Sequence, residues 1–239
     1  MWCGGCLLIL GFGYMDYTFD FSWLGEYLPM IWQGALFTLA LTLASALIGG
    51  LLGTLGAVGM RYGGKALRGV LVGYVEFIRN TPFLVQLFFV YFGLPSLGVM
   101  LPEWVAALLA MSLNLTAYQM EIIRAGFLAV GPGQYQAALS LGLTPAQTIR
   151  HIMLPQGFVA VAPALFGQIL MMMMSSAVVS QISVTDLAAA ASYIQSRTFR
   201  PFEIYVIVTV LYLVLSILAR GLFNLVFRRM FASARAAHG

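Results

Sequence analysis

The chain has 239 residues, of which 61% are hydrophobic and only 8% are charged, with a formal net charge of +4. A soluble domain carries about 25% charged residues, so this composition excludes an ordinary water-soluble protein and indicates a protein embedded in a bilayer. One membrane-spanning helix needs about 20 apolar residues, which allows roughly five or six spans. The basic residues lie between apolar runs, a pattern that favours membrane topology over binding to nucleic acid.

Residues 1–28 are predicted to be an N-terminal segment outside the membrane, ahead of a membrane domain over residues 29–229. Cys3 and Cys6 form a CxxC motif, which is either redox-active or half of a zinc site in some proteins. No second ligand pair accompanies it, so we expect no metal there. Met15 is a plausible alternative start, and residues 1–14 are predicted to be dispensable.

The first predicted span runs from Pro29 to Val58 and carries small residues four apart: Ser45, Gly49, Gly53 and Ala57. Such a stripe lets two helices approach closely, and we favour packing within the chain over a dedicated dimer seam. The following link contains Gly59 and Gly64-Lys65, which is close to a P-loop. It lacks the Ser or Thr after the lysine and follows an apolar helix, so no nucleotide site is predicted.

The second span, Val70 to Leu94, is predicted to break at Thr81-Pro82, because proline lacks a backbone donor. Glu76 and Arg79 are spaced to form an ion pair, either as an anchor at the membrane rim or with a functional role.

The third span, Trp104 to Ile123, places Asn114, Tyr118 and Glu121 on one helix face. A carboxylate is costly in a membrane unless it is paired or wet, and Arg124 is the expected partner of Glu121.

The fourth predicted span, Gly157 to Ile182, contains no charge, and its polar residues include Ser175 and Ser176. Residues 186–203 are predicted to be a polar loop, and the fifth span covers Ile204 to Leu218. The positive-inside rule then places the N-terminus outside and the C-terminus, with the tail 230–239, in the cytoplasm. The nine basic residues assigned to the cytoplasmic side are Arg61, Lys65, Arg68, Arg124, Arg150, Arg220, Arg228, Arg229 and Arg235.

The most informative segment is the predicted cytoplasmic loop 131–155. Gln136 to Leu141 has a helix-forming composition, and Gly142 is suited to end that helix with a positive φ. Thr144 and Pro145 then fit the N-cap and the first position of a second helix. The prediction is two short helices joined at a glycine turn, a compact knob suited to a groove of a partner protein.

This loop resembles the EAA loop of ABC-importer permeases. The matching residues are Ala137, Ala138, Gly142, Ile152, Leu154 and Pro155, and Gln136 stands where the family usually has Glu. Residues 77–86, 112–124 and 197–203 also resemble segments of the polar amino-acid branch of that family. The resemblance implies an all-α membrane protein with five transmembrane helices and the type I importer fold.

The resemblance further implies a permease subunit of an ATP-driven importer of polar amino acids in the bacterial inner membrane. Its expected partners are ATPase subunits that bind ATP and Mg, a periplasmic amino-acid-binding protein and a second permease. We expect this chain to bind no cofactor and to have no catalytic site of its own. Two sets of functional residues are predicted. The ATPase-coupling set is Gln136, Ala137, Ala138, Gly142, Leu143, Pro145 and Pro155. The substrate pathway or gate is Gln86, Asn114, Tyr118, Glu121, Ser175 and Ser176.

The sequence departs from that branch in the fourth span, where Met174-Ser175-Ser176 replaces a common motif that starts with lysine. The contacts of relatives with substrate are therefore not carried over at this point. The alternative function is a freestanding channel or a secondary transporter. A membrane enzyme is disfavoured, because His151 and His238 are the only histidines and no catalytic set surrounds them.

Overall fold

The structure is a computed structural model that describes residues 17–230, and the regular structure within that range is helical throughout. The predictions for residues 1–14, Cys3, Cys6, Met15, Arg235 and His238 lie outside the described residues. The helices are α1 (Leu24–Tyr62), α2 (Lys65–Arg79), α3 (Phe83–Ser96), α4 (Glu103–Val130), α5 (Pro132–Ser140), α6 (Pro145–Ile182), α7 (Leu187–Thr198) and α8 (Pro201–Met230).

Helices α1, α4, α6 and α8 are each long and apolar enough to cross a membrane. Helices α2 and α3 pass the same test together, with a bend of 109° between them, and make a fifth span when the bent pair is counted as one. This agrees with the five predicted spans, although α1 and α8 both extend beyond the predicted limits. We call the end of the bundle that carries residues 131–155 the loop end, and the opposite end the far end.

The small residues of α1 pack against α4 of the same chain. A Cβ added at Gly49 would lie 2.8 Å from the Cβ of Leu115, and one added at Gly53 would lie 3.0 Å from the Cβ of Gln119. Ser45 and Ala57 on the same stripe are fully buried. The stripe therefore serves helix packing within the chain, as favoured from the sequence.

The bend between α2 and α3 lies at Thr81-Pro82, as predicted. A bend of this kind leaves carbonyl groups of the preceding helix without partners. The Gln86 side chain donates from Nε2 to the carbonyls of Ile78, at 2.7 Å, and Thr81, at 3.0 Å. One amide thus satisfies the broken backbone inside the bundle.

Helix α6 begins at Pro145, well before the predicted Gly157, so the second half of segment 131–155 is continuous with the fourth span. A π-helical turn at Ile149–Met153 interrupts it. Pro155 lies two residues after this turn, and because proline cannot donate to the preceding turn, a local widening of the helix accommodates it. The expected boundary was wrong because the helix continues through this proline.

Residues 187–198 form helix α7, so the prediction of a loop over 186–203 was wrong for most of its length. Asp186 caps this helix, with its Oδ1 accepting the Ala189 N–H at 2.8 Å. Four alanines follow in the first turns and favour the helix, whereas the sequence prediction gave more weight to the polar residues around them.

At the far end, residues 17–23 lie against the start of α8. Arg200 donates from Nη1 to the carbonyl of Thr18 at 2.9 Å and forms a 3.9 Å ion pair with Asp20. The Tyr17 hydroxyl donates to Glu203, whose side chain is fully buried. The described part of the predicted N-terminal segment is therefore fixed to the last helix.

Candidate functional site

Segment 131–155 folds as a helix, a tight glycine turn and the start of a second helix, as the sequence predicted. Gly142 has φ +86°. Its N–H donates to the Leu139 carbonyl at 3.0 Å, and the Leu143 N–H donates to the Ala138 carbonyl at 3.2 Å. This pair of bonds is a Schellman motif, which closes the C-terminus of α5 and requires a left-handed residue at Gly142.

A capping box starts the second helix. The Gln147 N–H donates to Thr144 Oγ1 at 3.3 Å, and the Thr144 N–H donates to Gln147 Oε1 at 2.8 Å. Pro145 occupies the first turn, as predicted. Gln147 was missed from the sequence, although a Thr followed three positions later by Gln is the signal for this motif.

The predicted coupling residues differ in their exposure to solvent. Gln136, Ala137, Gly142, Pro145 and Pro155 are exposed and Leu143 is half-buried. Ala138 is only 4% exposed and packs within the chain. Leu141 was not predicted, yet it is 82% exposed at the tip of the turn.

Three aromatic rings attach α5 to the rest of the bundle. The Tyr135 ring stacks on Tyr62 with ring centroids 5.3 Å apart and an interplanar angle of 26°. Tyr62 also meets Phe127 of α4 edge to face, with centroids 5.9 Å apart. The ends of α1 and α4 thereby hold the first half of the segment.

The predicted pathway residues Gln86 and Asn114 lie together in the bundle. Asn114 donates from Nδ2 to Gln86 Oε1 at 2.9 Å, and both side chains are buried. Because Gln86 also binds the carbonyls at the bend, this pair links α4 to the break between α2 and α3.

Tyr118 and Glu121 continue the same face of α4 toward the loop end. The guanidinium carbon of Arg79 lies 5.6 Å from the centre of the Tyr118 ring. Glu121 forms the predicted ion pair with Arg124, whose Nε donates to Oε2 at 2.9 Å. The expected Glu76–Arg79 pair does not form, because Glu76 accepts from Asn80 Nδ2 at 3.0 Å while Arg79 lies over the tyrosine.

A cavity of about 330 Å³ opens beside this ion pair at the loop end, between α1, α2 and α4. Its lining combines acidic and basic side chains. Its charged lining is Arg61, Arg68, Glu76, Glu121 and Arg124.

Ser175 and Ser176, the remaining predicted pathway residues, stand where α6 changes from an α-helix to a 3₁₀-helix. Ser176 is fully buried and donates to the carbonyl of Met173 at 2.7 Å, while Ser175 is half-buried. Neither serine lines the cavity beside Glu121.

Asp186 is a buried carboxylate that sequence reasoning did not select. Its Oδ1 caps α7, whereas Oδ2 has no hydrogen-bond partner among the described residues. Burial raises the pKa of this carboxyl to about 6.

The comparisons with known proteins decide the family. Residues 47–232 match the family described as the binding-protein-dependent transport system inner membrane component. The chain belongs to this family. It is a multi-pass permease of the inner membrane and a subunit of an ABC transport system, which implies ATPase partners and a substrate-binding protein.

Individual relatives agree with this assignment. The permease is 36% identical over 201 residues to a probable amino-acid ABC transporter permease protein, y4tG, of Sinorhizobium fredii, covering 83% of this chain and 86% of the relative. It is 34% identical to the arginine transport system permease protein ArtQ of Bacillus subtilis, covering 82% and 90%. Among solved structures, an amino acid ABC transporter crystallised with histidines matches with a TM-score of 0.81 and 40% identity, covering 89% and 100%.

Proposed function

We propose that this permease imports polar amino acids, as one of two permease subunits above a pair of ATPase subunits. Relatives named for glutamine and arginine transport, together with the structural match to an amino acid transporter, support this substrate class. The expected ATP and Mg sites lie on the ATPase subunits. The role of this chain is to form the passage and to respond to its partners, without a catalytic step of its own.

Segment 131–155 is the proposed docking element for the ATPase. The observation that carries this proposal is Leu141, an 82% exposed leucine at the tip of a turn that is fixed by a Schellman motif and a capping box. Exposing a leucine to water is unfavourable by about 2 kcal/mol, whereas burying it in a partner recovers that free energy. A rigid apolar tip flanked by exposed polar residues fits a groove in another protein.

In this proposal the loop end faces the cytoplasm and the far end faces the periplasm, as the distribution of basic residues predicts. The binding protein delivers substrate at the far end. ATP-driven closure of the ATPase pair then displaces the docking segment and rocks the helices between two open states.

The proposed passage follows the face of α4 that carries Asn114, Tyr118 and Glu121, beside the break between α2 and α3. A broken helix near the middle of a membrane offers free backbone groups and helix ends to a polar solute. The cavity beside Glu121 and Arg124 supplies charges of both signs for the ammonium and carboxylate of an amino acid. Ser175 and Ser176 are proposed to contribute at the gate, where α6 changes its helical form.

The test is co-purification of the permease with a candidate ABC ATPase from the same organism, followed by uptake of labelled amino acids into vesicles with the purified binding protein. We expect a stable complex and uptake that depends on both ATP and the binding protein. Leu141→Asp should lose the ATPase. Leu97→Asp is the matched control, because Leu97 is 78% exposed at the far end and also precedes a glycine of positive φ, Gly98.

Uptake by the permease alone, without an ATPase, would instead support a freestanding channel or a secondary transporter. Equal retention of the ATPase by Leu141→Asp and Leu97→Asp would refute the docking role of the tip.

A further inference from the structure

Helix α1 touches both ends of the proposed transport machinery, although the chain does not connect it directly to segment 131–155. That segment is covalently joined to α4 and α6, which therefore follow any displacement of it. Helix α1 ends at Tyr62, and the chain then continues through Gly63 and Gly64 into α2. A displacement of the docking segment reaches α1 only through packing.

The packing contact at the loop end is aromatic. Tyr62, the last residue of α1, stacks on Tyr135 of α5 with centroids 5.3 Å apart, and Phe127 supports it edge to face. The Tyr62 hydroxyl is buried and has no hydrogen-bond partner among the described residues. The ring rather than the hydroxyl therefore makes this contact.

The packing contact at the far end involves the backbone before and at the start of α7. The Leu187 N–H donates to Thr38 Oγ1 at 3.2 Å, and both residues are fully buried. A Cβ added at Gly34 would lie 2.9 Å from the carbonyl oxygen of Asp186, so the two backbones meet closely. Helix α1 cannot shift here without moving α7.

Between these two contacts α1 is an unbroken helix. Its internal proline, Pro29, lies before both contacts, and the distance from Thr38 to Tyr62 is about 36 Å at 1.5 Å per residue. The close approaches of Gly49 and Gly53 to α4 fix its middle. A packed helix of this kind transmits a displacement rather than absorbing it.

We propose that the Tyr62–Tyr135 stack passes the movement of the docking segment to α1, and that α1 carries it to the start of α7 at the far end. Tyr62 and Tyr135 are positioning residues, since neither is assigned a contact with substrate or ATP. This inference rests on the proposed function, because it assumes that an ATPase moves segment 131–155.

The experiment uses the full permease–ATPase complex with a cysteine reporter at the far end. Ala189→Cys places a thiol in a cavity of about 520 Å³ that α1 and α7 line together, with Cys3 and Cys6 changed to Ser. The measurement is the rate of labelling by a charged maleimide, with ATP and vanadate and without nucleotide. In the chain that carries Ala189→Cys and no other test substitution, we expect the labelling rate with ATP and vanadate to differ from the rate without nucleotide.

Tyr62→Ala and Tyr135→Ala should each reduce the nucleotide-dependent change by about 2- to 10-fold, the effect of losing one aromatic pair on an equilibrium constant. Tyr62→Phe keeps the ring and removes only an unbonded hydroxyl, so it should restore the full change. The double variant should lose no more than either single variant, because both act on one contact. ATPase retention should stay normal in the two Tyr62 variants, whose changed residue lies outside segment 131–155, and a general folding defect would not allow this.

Phe166→Ala is the matched control. It removes a stack between Phe166 and Phe223, with ring centroids 4.3 Å apart, that does not involve α5. It should leave the nucleotide response intact. A full response in Tyr62→Ala and Tyr135→Ala would overturn the inference while leaving the proposed function standing. A reporter chain that binds no ATPase would overturn both.

Discussion

Gly142 is the position at which a single methyl group should impair coupling without any steric clash. Its φ is +86°, and no atom lies within 4 Å of an added Cβ, so the cost of a substitution is conformational alone. An alanine in the left-handed region is disfavoured by about 1–2 kcal/mol, and a β-branched residue by more. Gly142→Ala should therefore lower the population of the native turn by about 5- to 30-fold relative to glycine, and Gly142→Val should lower it further.

A chain that leaves this turn loses the two Schellman bonds to Ala138 and Leu139 and changes the angle between α5 and α6. The expected result is a membrane-inserted permease with weak ATPase retention and little transport, worst for valine. Gly142→Asn should remain close to the wild type, because asparagine tolerates a positive φ. Gly133→Val is the matched control in the same helix, with open space around it and an ordinary φ.

The assays are ATPase retention on the purified permease and stimulation of ATP hydrolysis by the loaded binding protein. ATPase retention and stimulation should be highest with glycine or asparagine at position 142, lower with alanine and lowest with valine. If Gly142→Val retains and couples the ATPase as well as Gly133→Val does, the left-handed turn is not needed and the reasoning fails.

Three further predictions concern the bundle. Gly53→Leu should separate α1 from α4 and lower the melting temperature strongly, whereas Gly73→Leu, which has open space, should not. Gln86→Leu leaves the buried Asn114 amide and two carbonyls unsatisfied, and should lower the free energy of unfolding in detergent titrations by about 1–3 kcal/mol for each lost partner. The raised pKa of Asp186, about 6 against an ordinary 3.8, means that the folded state binds this proton more tightly. Stability should therefore fall as pH rises from about 4 to about 6, by up to about 3 kcal/mol, and Asp186→Asn should flatten that slope in melting curves.

The features of the docking segment that the sequence predicted are local ones. Gly142 and the Thr144-Pro145 pair act through their own backbone preferences. The turn and the helix start that they predict are therefore found in the structure. The burial of the Ala138 side chain could not be predicted in the same way, because it depends on which side of α5 packs against the bundle. The exposure of Leu141 has the same origin, since an apolar residue normally indicates an interior position.

The pathway residues show the same division. The Glu121–Arg124 pair is three residues apart on one helix and was predicted from spacing. Glu76 and Arg79 have the same spacing, yet Glu76 accepts from Asn80 and Arg79 lies over the ring of Tyr118. The Asn114–Gln86 bond joins residues from two helices. Its geometry depends on the 109° angle of the bend, and no local sequence pattern specifies that angle.

The central claim is that segment 131–155 binds the ATPase through its tip, and photo-crosslinking tests it most directly. A photoreactive amino acid is placed at Leu141 and, in a second chain, at Leu97, and both are illuminated in membranes that contain the ATPase and the binding protein. The account predicts an ATPase adduct from position 141 and none from position 97. An adduct of the ATPase at position 97, or its absence at position 141 in a chain that still transports, would contradict the account.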